Sequence, residues 1–428
     1  MVETLETRGL DDRLNRRELL RRGAAIGLAL PLFSTIAAGC RAHPTSSGAA
    51  PPIGLYQEWL LRLYPVLAGI GSPRPVLRAT DQPRKGLRAA DFYVGLTPFD
   101  EIVRLKKRVL VPWDGLMPSD VSADVPEPVR REATVDGQLY SWPFLLDVTI
   151  LGWNAELVER AGLDPGNAPR TWDDLVAAAR QVVQSGAAPY GCIFDRRPWR
   201  SLVPVTHSFS VDVYDGRGRF DYRSDAALAA LEVLRQLQEL ADPSSVDPGL
   251  SVGLGLTPDE GLFASGLAAY YVKYQNAHIR MAAQWPDPSR LVLARLPHPP
   301  GGAGKTVFWT TGIGLLRLGT NRPAVEKYAR SITYGSDFWR IAIGGGRAAV
   351  GQIPVFKSLW QSWSHERPSW LAAWADGVHA QLEHAEPIPP SSGGATQFTL
   401  AQASLDGYLD GEERSARTAL RDATKAAA

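Results

Sequence analysis

The chain has 428 residues, of which 45% are hydrophobic, 21% charged and 9% aromatic. This is enough apolar material for one large globular body or two lobes of ordinary domain size. The 46 Lys and Arg residues nearly balance the 45 Asp and Glu residues, so the formal net charge is +1. No field strong enough to hold a polyanion arises from that charge, and nucleic acid is not an expected partner.

Cysteine and histidine usage excludes several kinds of site. The two Cys residues, Cys40 and Cys192, cannot build a disulfide framework or a four-cysteine zinc site. The seven His residues contain no H-E-x-x-H pattern and no other close pair with ligand spacing. We therefore expect no metal and no cofactor.

The first 39 residues have the features of an export signal. Arg16 and Arg17 precede an apolar run of small residues over 23–38, which is too short to be a stable membrane span. The arginine pair resembles a twin-arginine signal, with the general secretory route as the alternative, and the ending Ile-Ala-Ala-Gly-Cys resembles a lipobox. We predict cleavage before Cys40, lipidation of Cys40, and a flexible tether over 40–52, which is rich in Ser, Pro, Gly and Ala.

The chain from residue 53 alternates strand and helix patterns, which is typical of an α/β fold. Helical spacing predicts a first helix over 56–67. Thr171, Ser224 and Thr257 are predicted N-caps, the last in a capping box. Strands are predicted at 75–79, 91–96, 138–142, 147–153, 190–194, 267–272, 290–296 and 312–316, and late helices at 322–334, 337–343, 354–363, 370–382, 397–408 and 412–426.

A series of short motifs resembles one family. The sequence reads DGQLYSWP over 136–143, then Asp147, LGWN, AGL and TWDDL, followed later by LFASGLAA, TGIGL and GQIP. Each motif is weak alone, but together and in this order they resemble the extracellular solute-binding proteins of ABC importers. The resemblance is to the carbohydrate-binding branch, which is maltose-binding-protein-like.

This resemblance implies an α/β fold with two lobes, each a sheet flanked by helices, joined by a multi-strand hinge. The chain would cross between lobes near 145–150, 306–310 and 341–347. The first lobe would comprise 53–147 plus 308–343, and the second lobe 148–307 plus 344–428. Because few residues precede the first predicted helix, the first lobe is expected to lack a complete initial strand and loop.

Candidate ligand-binding residues come from position and from the resemblance. Asp147 lies in the middle of an apolar strand, where an uncompensated charge is costly. The sequence leaves open a carboxylate bonded to backbone or Arg and an acceptor for a ligand hydroxyl. The resemblance places Trp199 and Trp309 at the ligand, and aromatic rings suit the apolar faces of sugars. Weaker candidates by the same resemblance are Thr310, Tyr274, Asn276, Thr97, Phe99 and Tyr56.

The leading functional hypothesis is a receptor without catalytic activity. It would be a monomeric lipoprotein outside the cytoplasmic membrane, anchored through its lipid, that closes on a saccharide and delivers it to an ABC permease. One alternative is a phosphorylated or anionic solute such as a glycerol phosphate ester, and Arg347 after three glycines could bind such an anion or simply follow a hinge turn. A secreted glycosidase is the other alternative, although no acid pair is recognisable.

Overall fold

The computed structural model describes residues 50–57, 64–80, 90–240, 257–343, 351–391 and 393–428. The predicted signal peptide, the lipidation site Cys40 and most of the predicted tether lie outside these residues. Arg347 and most of the predicted crossing at 341–347 also lie outside them. In the described part of the chain, no helix is long and apolar enough to cross a membrane.

Most strands belong to one hydrogen-bonded path in the order β2-β1-β3-β11-β7-β9-β8. Pairing is parallel at β2-β1-β3 and at β9-β8, and antiparallel where β11 and β7 join the two parallel parts. The strands are β1 Ile53–Gln57, β2 Val76–Thr80, β3 Phe92–Leu96, β4 Leu110–Val111, β5 Thr134–Val135, β6 Gln138–Leu139, β7 Trp142–Asn154, β8 Tyr190–Phe194, β9 Ala268–Tyr274, β10 Leu291–Ala294, β11 Thr306–Leu316, β12 Ile353–Pro354 and β13 Ala385–Pro387.

Strand β7 connects the two parts of the sheet. Up to Val148 it pairs with β11 and β12, and from Thr149 onward it pairs with β9 and β10. All 13 of its residues are buried. The prediction of two separate strands here was wrong, because Pro143 lies within the strand. Pro143 is tolerated opposite Gly312, where the register of the β11 pairing shifts and one ladder hydrogen bond can be missing.

The start of the folded region also differs from the prediction. Tyr56 belongs to strand β1 and not to a helix, and the first described helix is Tyr64–Ile70. Strand β1 is complete, since it pairs with β2 over five residues and with β3 on its other side. Glycine at position 54 allows β1 to pack this closely against β3, because a Cβ there would lie 2.4 Å from the ring of Phe92. The expected absence of a full initial strand was therefore wrong.

The helices flank the sheet, and their N-caps follow the sequence signals. The side chains of Asn154, Thr171 and Ser224 each accept a hydrogen bond from the backbone of the first helical turn. The α-helices are Tyr64–Ile70, Val103–Leu105, Ser119–Asp124, Glu127–Ala133, Ala155–Arg160, Trp172–Gln184, Leu202–Phe209, Asp225–Gln238, Pro258–Ala264, Gln275–Ala282, Arg322–Tyr334, Ser336–Ala342, Lys357–His365, Trp374–Leu382, Gly394–Leu409 and Ala416–Ala427, with a π-helical turn at Pro98–Ile102 and 3₁₀ turns at Pro198–Arg200 and Pro288–Arg290.

Two large hydrophobic clusters form the main core, and β7 contributes to both. Phe144 and Val148 belong to a cluster that surrounds β1–β3 and extends to Ile193 of β8 and Tyr271 of β9. Leu151 and Trp153 belong to the cluster around β8 and β9. The central strands are therefore buried on both faces, which explains why β7 is a continuous apolar run rather than an alternating one.

Candidate functional site

The site is built around two residues on the connecting strands. Asp147 of β7 lies directly opposite Trp309 of β11 in the antiparallel register, so both side chains are on the same face of the sheet. Asp147 is buried, and its Oδ1 accepts hydrogen bonds from Asn276 Nδ2 at 2.5 Å and from Gln275 Nε2 at 3.1 Å. Burial raises the pKa of Asp147 to about 6, against the opposing effect of these amides and of Arg200.

Four aromatic rings meet beside Asp147, and we call them the aromatic cluster: Phe99, Trp199, Tyr274 and Trp309. The Trp199 ring centroid lies 4.8 Å from that of Trp309 and 5.6 Å from that of Phe99. The Tyr274 centroid lies 5.5 Å from that of Trp309. The cluster therefore joins residues from both parts of the sheet, since Phe99 follows β3 whereas Trp199 follows β8.

The positions of these rings follow from strand ends. Phe99 lies in the π-helical turn after β3, Trp199 lies in the 3₁₀ turn after β8, and Tyr274 is the last residue of β9. In open α/β sheets, ligands bind outside the carboxyl ends of the strands. The aromatic cluster lies at the carboxyl ends of β3, β8 and β9.

Arg200 inserts its guanidinium between two of the rings. Its Cζ lies 4.4 Å from the Trp199 centroid and 4.6 Å from the Tyr274 centroid, which are cation–π distances. Its Nη1 donates a hydrogen bond to the Tyr274 hydroxyl at 2.9 Å and lies 3.2 Å from Asp195 Oδ2. Arg200 is therefore held on both aromatic faces and by a carboxylate.

Arg200 belongs to a larger set of paired charges, the ion network: Asp195, Arg197, Arg200, Asp259, Glu260, Lys273 and Arg280. Lys273 is fully buried at its centre, with Nζ 2.5 Å from Asp259, 3.1 Å from Asp195 and 3.5 Å from Glu260. Burial alone would raise the pKa of Asp195, but Lys273 and the neighbouring arginines outweigh it and hold that pKa well below its usual range. Glu260 also pairs with Arg280 at 3.0 Å.

The ion network is continuous with Asp147. Arg280 Nε donates to Asn276 Oδ1 at 3.4 Å, and Asn276 in turn donates to Asp147. The arrangement can offer hydrogen-bond acceptors, amide and guanidinium donors, and aromatic surface to a small molecule. In the described part of the chain, no group of three or more His, Cys, Asp or Glu side chains is arranged to hold a metal ion.

Two of the weaker candidates lie elsewhere, whereas Thr97 lies two residues before Phe99 of the aromatic cluster. Thr310 is on the opposite face of β11 from Trp309, and Glu132 accepts hydrogen bonds from both its backbone N–H and its hydroxyl. Thr97 donates its backbone N–H to Glu101 at 3.0 Å. Tyr56 is buried in the hydrophobic cluster around β1–β3. The structure does not bring Thr310 or Tyr56 to the aromatic cluster.

Sequence reasoning missed the charged part of the site. Arg200 is adjacent to a predicted residue, and Gln275 lies between two of them. Asp195 directly follows the predicted strand 190–194, which is the position expected for a site residue in an α/β sheet. That rule could have found Asp195, but nothing in the sequence pairs Lys273 with its three carboxylates.

Comparison with known proteins agrees with this architecture. Residues 91–333, more than half of the chain, match the family of bacterial extracellular solute-binding proteins, and the chain belongs to that family. Family and fold are those of transport solute-binding proteins, which are extracellular or periplasmic, are not enzymes, and work with membrane permease components. The expected two-lobed α/β fold is confirmed.

Solved structures similar to this chain include several sugar and polyol receptors. Maltose-bound MalE3 of T. maritima has a TM-score of 0.66 at 17% identity, covering 88% of this chain and 99% of its own. The GacH receptor of Streptomyces glaucescens, described with acarbose, has a TM-score of 0.68 at 16% identity, covering 88% and 98%. A solute-binding protein of Agrobacterium vitis with bound D-mannitol has a TM-score of 0.65 at 18% identity, covering 89% and 97%.

Curated relatives match over shorter segments. A probable amino-acid ABC transporter periplasmic-binding protein of Sinorhizobium fredii is 28% identical over 114 residues, which is 26% of each chain. The sn-glycerol-3-phosphate-binding periplasmic protein UgpB of Rhizobium meliloti is 36% identical over 72 residues, 17% of each chain. The chain thus spans about a quarter or less of the length of these two relatives.

Proposed function

We propose that this protein is the substrate receptor of an ABC importer and captures a saccharide at the aromatic cluster beside Asp147. The observation that carries the proposal is the pairing of Asp147 with Trp309 on the strands that connect the two parts of the sheet. A sugar needs aromatic faces for its C–H surfaces and fixed polar groups for its hydroxyls. Trp199, Tyr274 and Asn276 supply both kinds of group next to this pair.

The proposed mechanism is hinge closure. The first lobe comprises 53–147 plus 308–343 and the second 148–307 plus 344–428, with β7 changing its pairing partners at Val148. Phe99 approaches from the first lobe, whereas Trp199 and Tyr274 belong to the second. A ligand that contacts residues of both lobes favours the closed state by its differential affinity for that state.

The proposal includes export and anchoring. Cleavage before Cys40 and lipidation of its thiol would tether the monomeric receptor outside the cytoplasmic membrane, near its permease. A twin-arginine route is supported by Arg16 and Arg17 alone.

A screen of ligands tests the proposed function. We would record melting curves of the mature protein with monosaccharides, oligosaccharides, polyols and their phosphate esters. A ligand present at one hundred times its dissociation constant adds about 2.7 kcal/mol to the free energy of unfolding. We expect a stabilising ligand in this panel and its recovery intact after incubation with stoichiometric protein.

Two variants test whether ligand stabilisation depends on the proposed site and whether the protein acts as an enzyme. Asp147→Asn should lose the stabilisation, whereas Asp337→Asn, an exposed aspartate on the helix Ser336–Ala342, should keep it. If no member of the panel stabilises the protein, the proposed function is wrong. Hydrolysis of a saccharide that Asp147→Asn abolishes would favour the glycosidase alternative.

A further inference from the structure

The guanidinium of Arg200 has one occupied side and one unpartnered side. Its Nη1 carries both recorded hydrogen bonds, to Tyr274 and to Asp195. Its Nε is buried and has no hydrogen-bond partner within the described ranges, and no bond to Nη2 is recorded there either. A buried donor of a charged group that makes no hydrogen bond destabilises the protein, because it has lost its bonds to water without replacement.

The unpartnered side has a specific recognition geometry. Nε and Nη2 form the edge of a guanidinium that accepts two oxygen atoms of one carboxylate or phosphate in parallel hydrogen bonds. The centroids of the Trp199 and Tyr274 rings lie 4.4 and 4.6 Å from its Cζ, and Asp195 holds it through Nη1. The edge is therefore fixed in direction before any ligand binds.

The carboxylates near Arg200 do not occupy its Nε and Nη2 edge. Asp195 lies 3.2 Å from Nη1. Asp147 interacts electrostatically with Arg200, but its Oδ1 accepts hydrogen bonds from Asn276 and Gln275. A ligand oxyanion could therefore bind at this free edge of Arg200.

We infer that Arg200 is a specificity-determining residue of this site and that the captured saccharide or polyol carries an anionic oxygen group, either a phosphate ester or a carboxylate, bound at Nε and Nη2. This inference rests on the proposed function and narrows its substrate class. A neutral hydroxyl could use one of these donors, but it would leave the second donor without a partner.

The test compares charged probes with their neutral parents. We would measure binding by calorimetry for sn-glycerol 3-phosphate against glycerol, and for glucose 6-phosphate and glucuronate against glucose, with inorganic phosphate as a separate arm. We expect a charged member to bind at least about tenfold more tightly than its parent, the scale of one charged hydrogen bond. A comparison of the two phosphate esters with glucuronate shows whether the site prefers a phosphate or a carboxylate.

Variants of Arg200 test whether this residue causes the preference for a charged ligand. Arg200→Gln should reduce affinity for the charged member about 10- to 100-fold, and by a larger factor than it reduces affinity for the neutral parent. Arg200→Lys keeps the charge but loses the two-donor edge, so it should keep only part of the preference. Arg196→Gln is the matched control, because Arg196 is in the same loop but pairs with Asp406 and Asp410.

The outcomes are distinguishable. Equal or tighter binding of a neutral parent, or equal losses for both ligands in Arg200→Gln, would overturn this inference and leave the receptor function standing. Binding of inorganic phosphate alone, with no organic probe, would also overturn it. No binding of any saccharide, polyol or charged derivative would overturn the receptor function itself. If Arg200→Gln does not fold, the wild-type comparison and Arg200→Lys still decide.

Discussion

Glu132 accepts hydrogen bonds from both the backbone N–H and the hydroxyl of Thr310, and both residues are fully buried. The N–H lies 3.1 Å from Oε1 and the hydroxyl 2.6 Å from Oε2. Burial raises the pKa of Glu132 to about 8, although both hydrogen bonds oppose this. A carboxyl group that is mostly protonated at neutral pH thus supports connecting strand β11, on the face opposite Trp309.

This contact predicts a pH dependence of stability. Because the pKa of Glu132 is higher in the folded chain than its ordinary value of 4.5, its stabilising effect is fully present below about pH 4.5 and is lost as pH rises through 8. Each pH unit in that window removes up to about 1.4 kcal/mol. Glu132→Gln keeps an acceptor and a donor but cannot ionise, so its melting temperature should rise relative to wild type between pH 5 and 8.

The comparison at each pH isolates Glu132 from the other titrating groups. Asp147 and Glu101, with pKa values raised by burial to about 6 and about 7, are unchanged in the variant. Glu127→Gln is the matched control, because Glu127 is exposed on the same helix. A constant difference between Glu132→Gln and wild type across this range would contradict the prediction.

Gln275 is predicted to be a structural link between the connecting segments. Its Oε1 accepts from Val148 N at 2.7 Å, and its Nε2 donates to Leu146 O at 2.9 Å and to Gly351 O at 3.3 Å. Gln275→Glu replaces the donor with an acceptor among three oxygen atoms, including Asp147 Oδ1. We expect a loss of about 3 kcal/mol or more in the free energy of unfolding, measured with urea. The exposed variant Gln284→Glu should change it little.

Much of the fold could be predicted because its signals are local. The N-caps at Thr171 and Ser224 and the strand 190–194 depend on nearby residues only. The errors arose where a distant contact decides the structure. Two strands were predicted, at 138–142 and 147–153, yet β7 runs through Pro143 because the register shift opposite Gly312 accommodates this proline. Tyr56 was predicted to begin a helix, but it lies in β1 between β2 and β3.

The residues of the candidate site also differ in whether the sequence alone could identify them. Asp147 could be singled out, because a carboxylate inside an apolar strand requires a compensating partner. The role of Arg200 could not, because its two aromatic contacts come from its neighbour Trp199 and from Tyr274, 74 residues away. Thr310 was assigned to the site because of its position in a motif. It lies on the other face of β11 because successive side chains of a strand point to opposite faces of the sheet.

The proposed lipid anchor makes a separate prediction. If Cys40 is lipidated, Cys40→Ser should move the protein from the membrane fraction to the soluble extracytoplasmic fraction. Cys192→Ser is the control, since Cys192 is buried in the folded region. Mass spectrometry of the wild-type N-terminus should show a diacylglycerol on residue 40. An unmodified N-terminus with unchanged fractionation would exclude the anchor.

The aromatic cluster predicts which tryptophans bind ligand. Once a ligand is identified, Trp199→Ala and Trp309→Ala should each weaken binding by roughly 1–3 kcal/mol, the scale of losing an aromatic-sized apolar face. Trp199 is half-buried and should cost less folding stability than the buried Trp309. Trp370→Ala is the control, because Trp370 is also half-buried but packs against Trp363. Calorimetry beside melting curves separates the two roles: a Trp199 variant with unchanged affinity and a lowered melting temperature would show that this ring only packs the core.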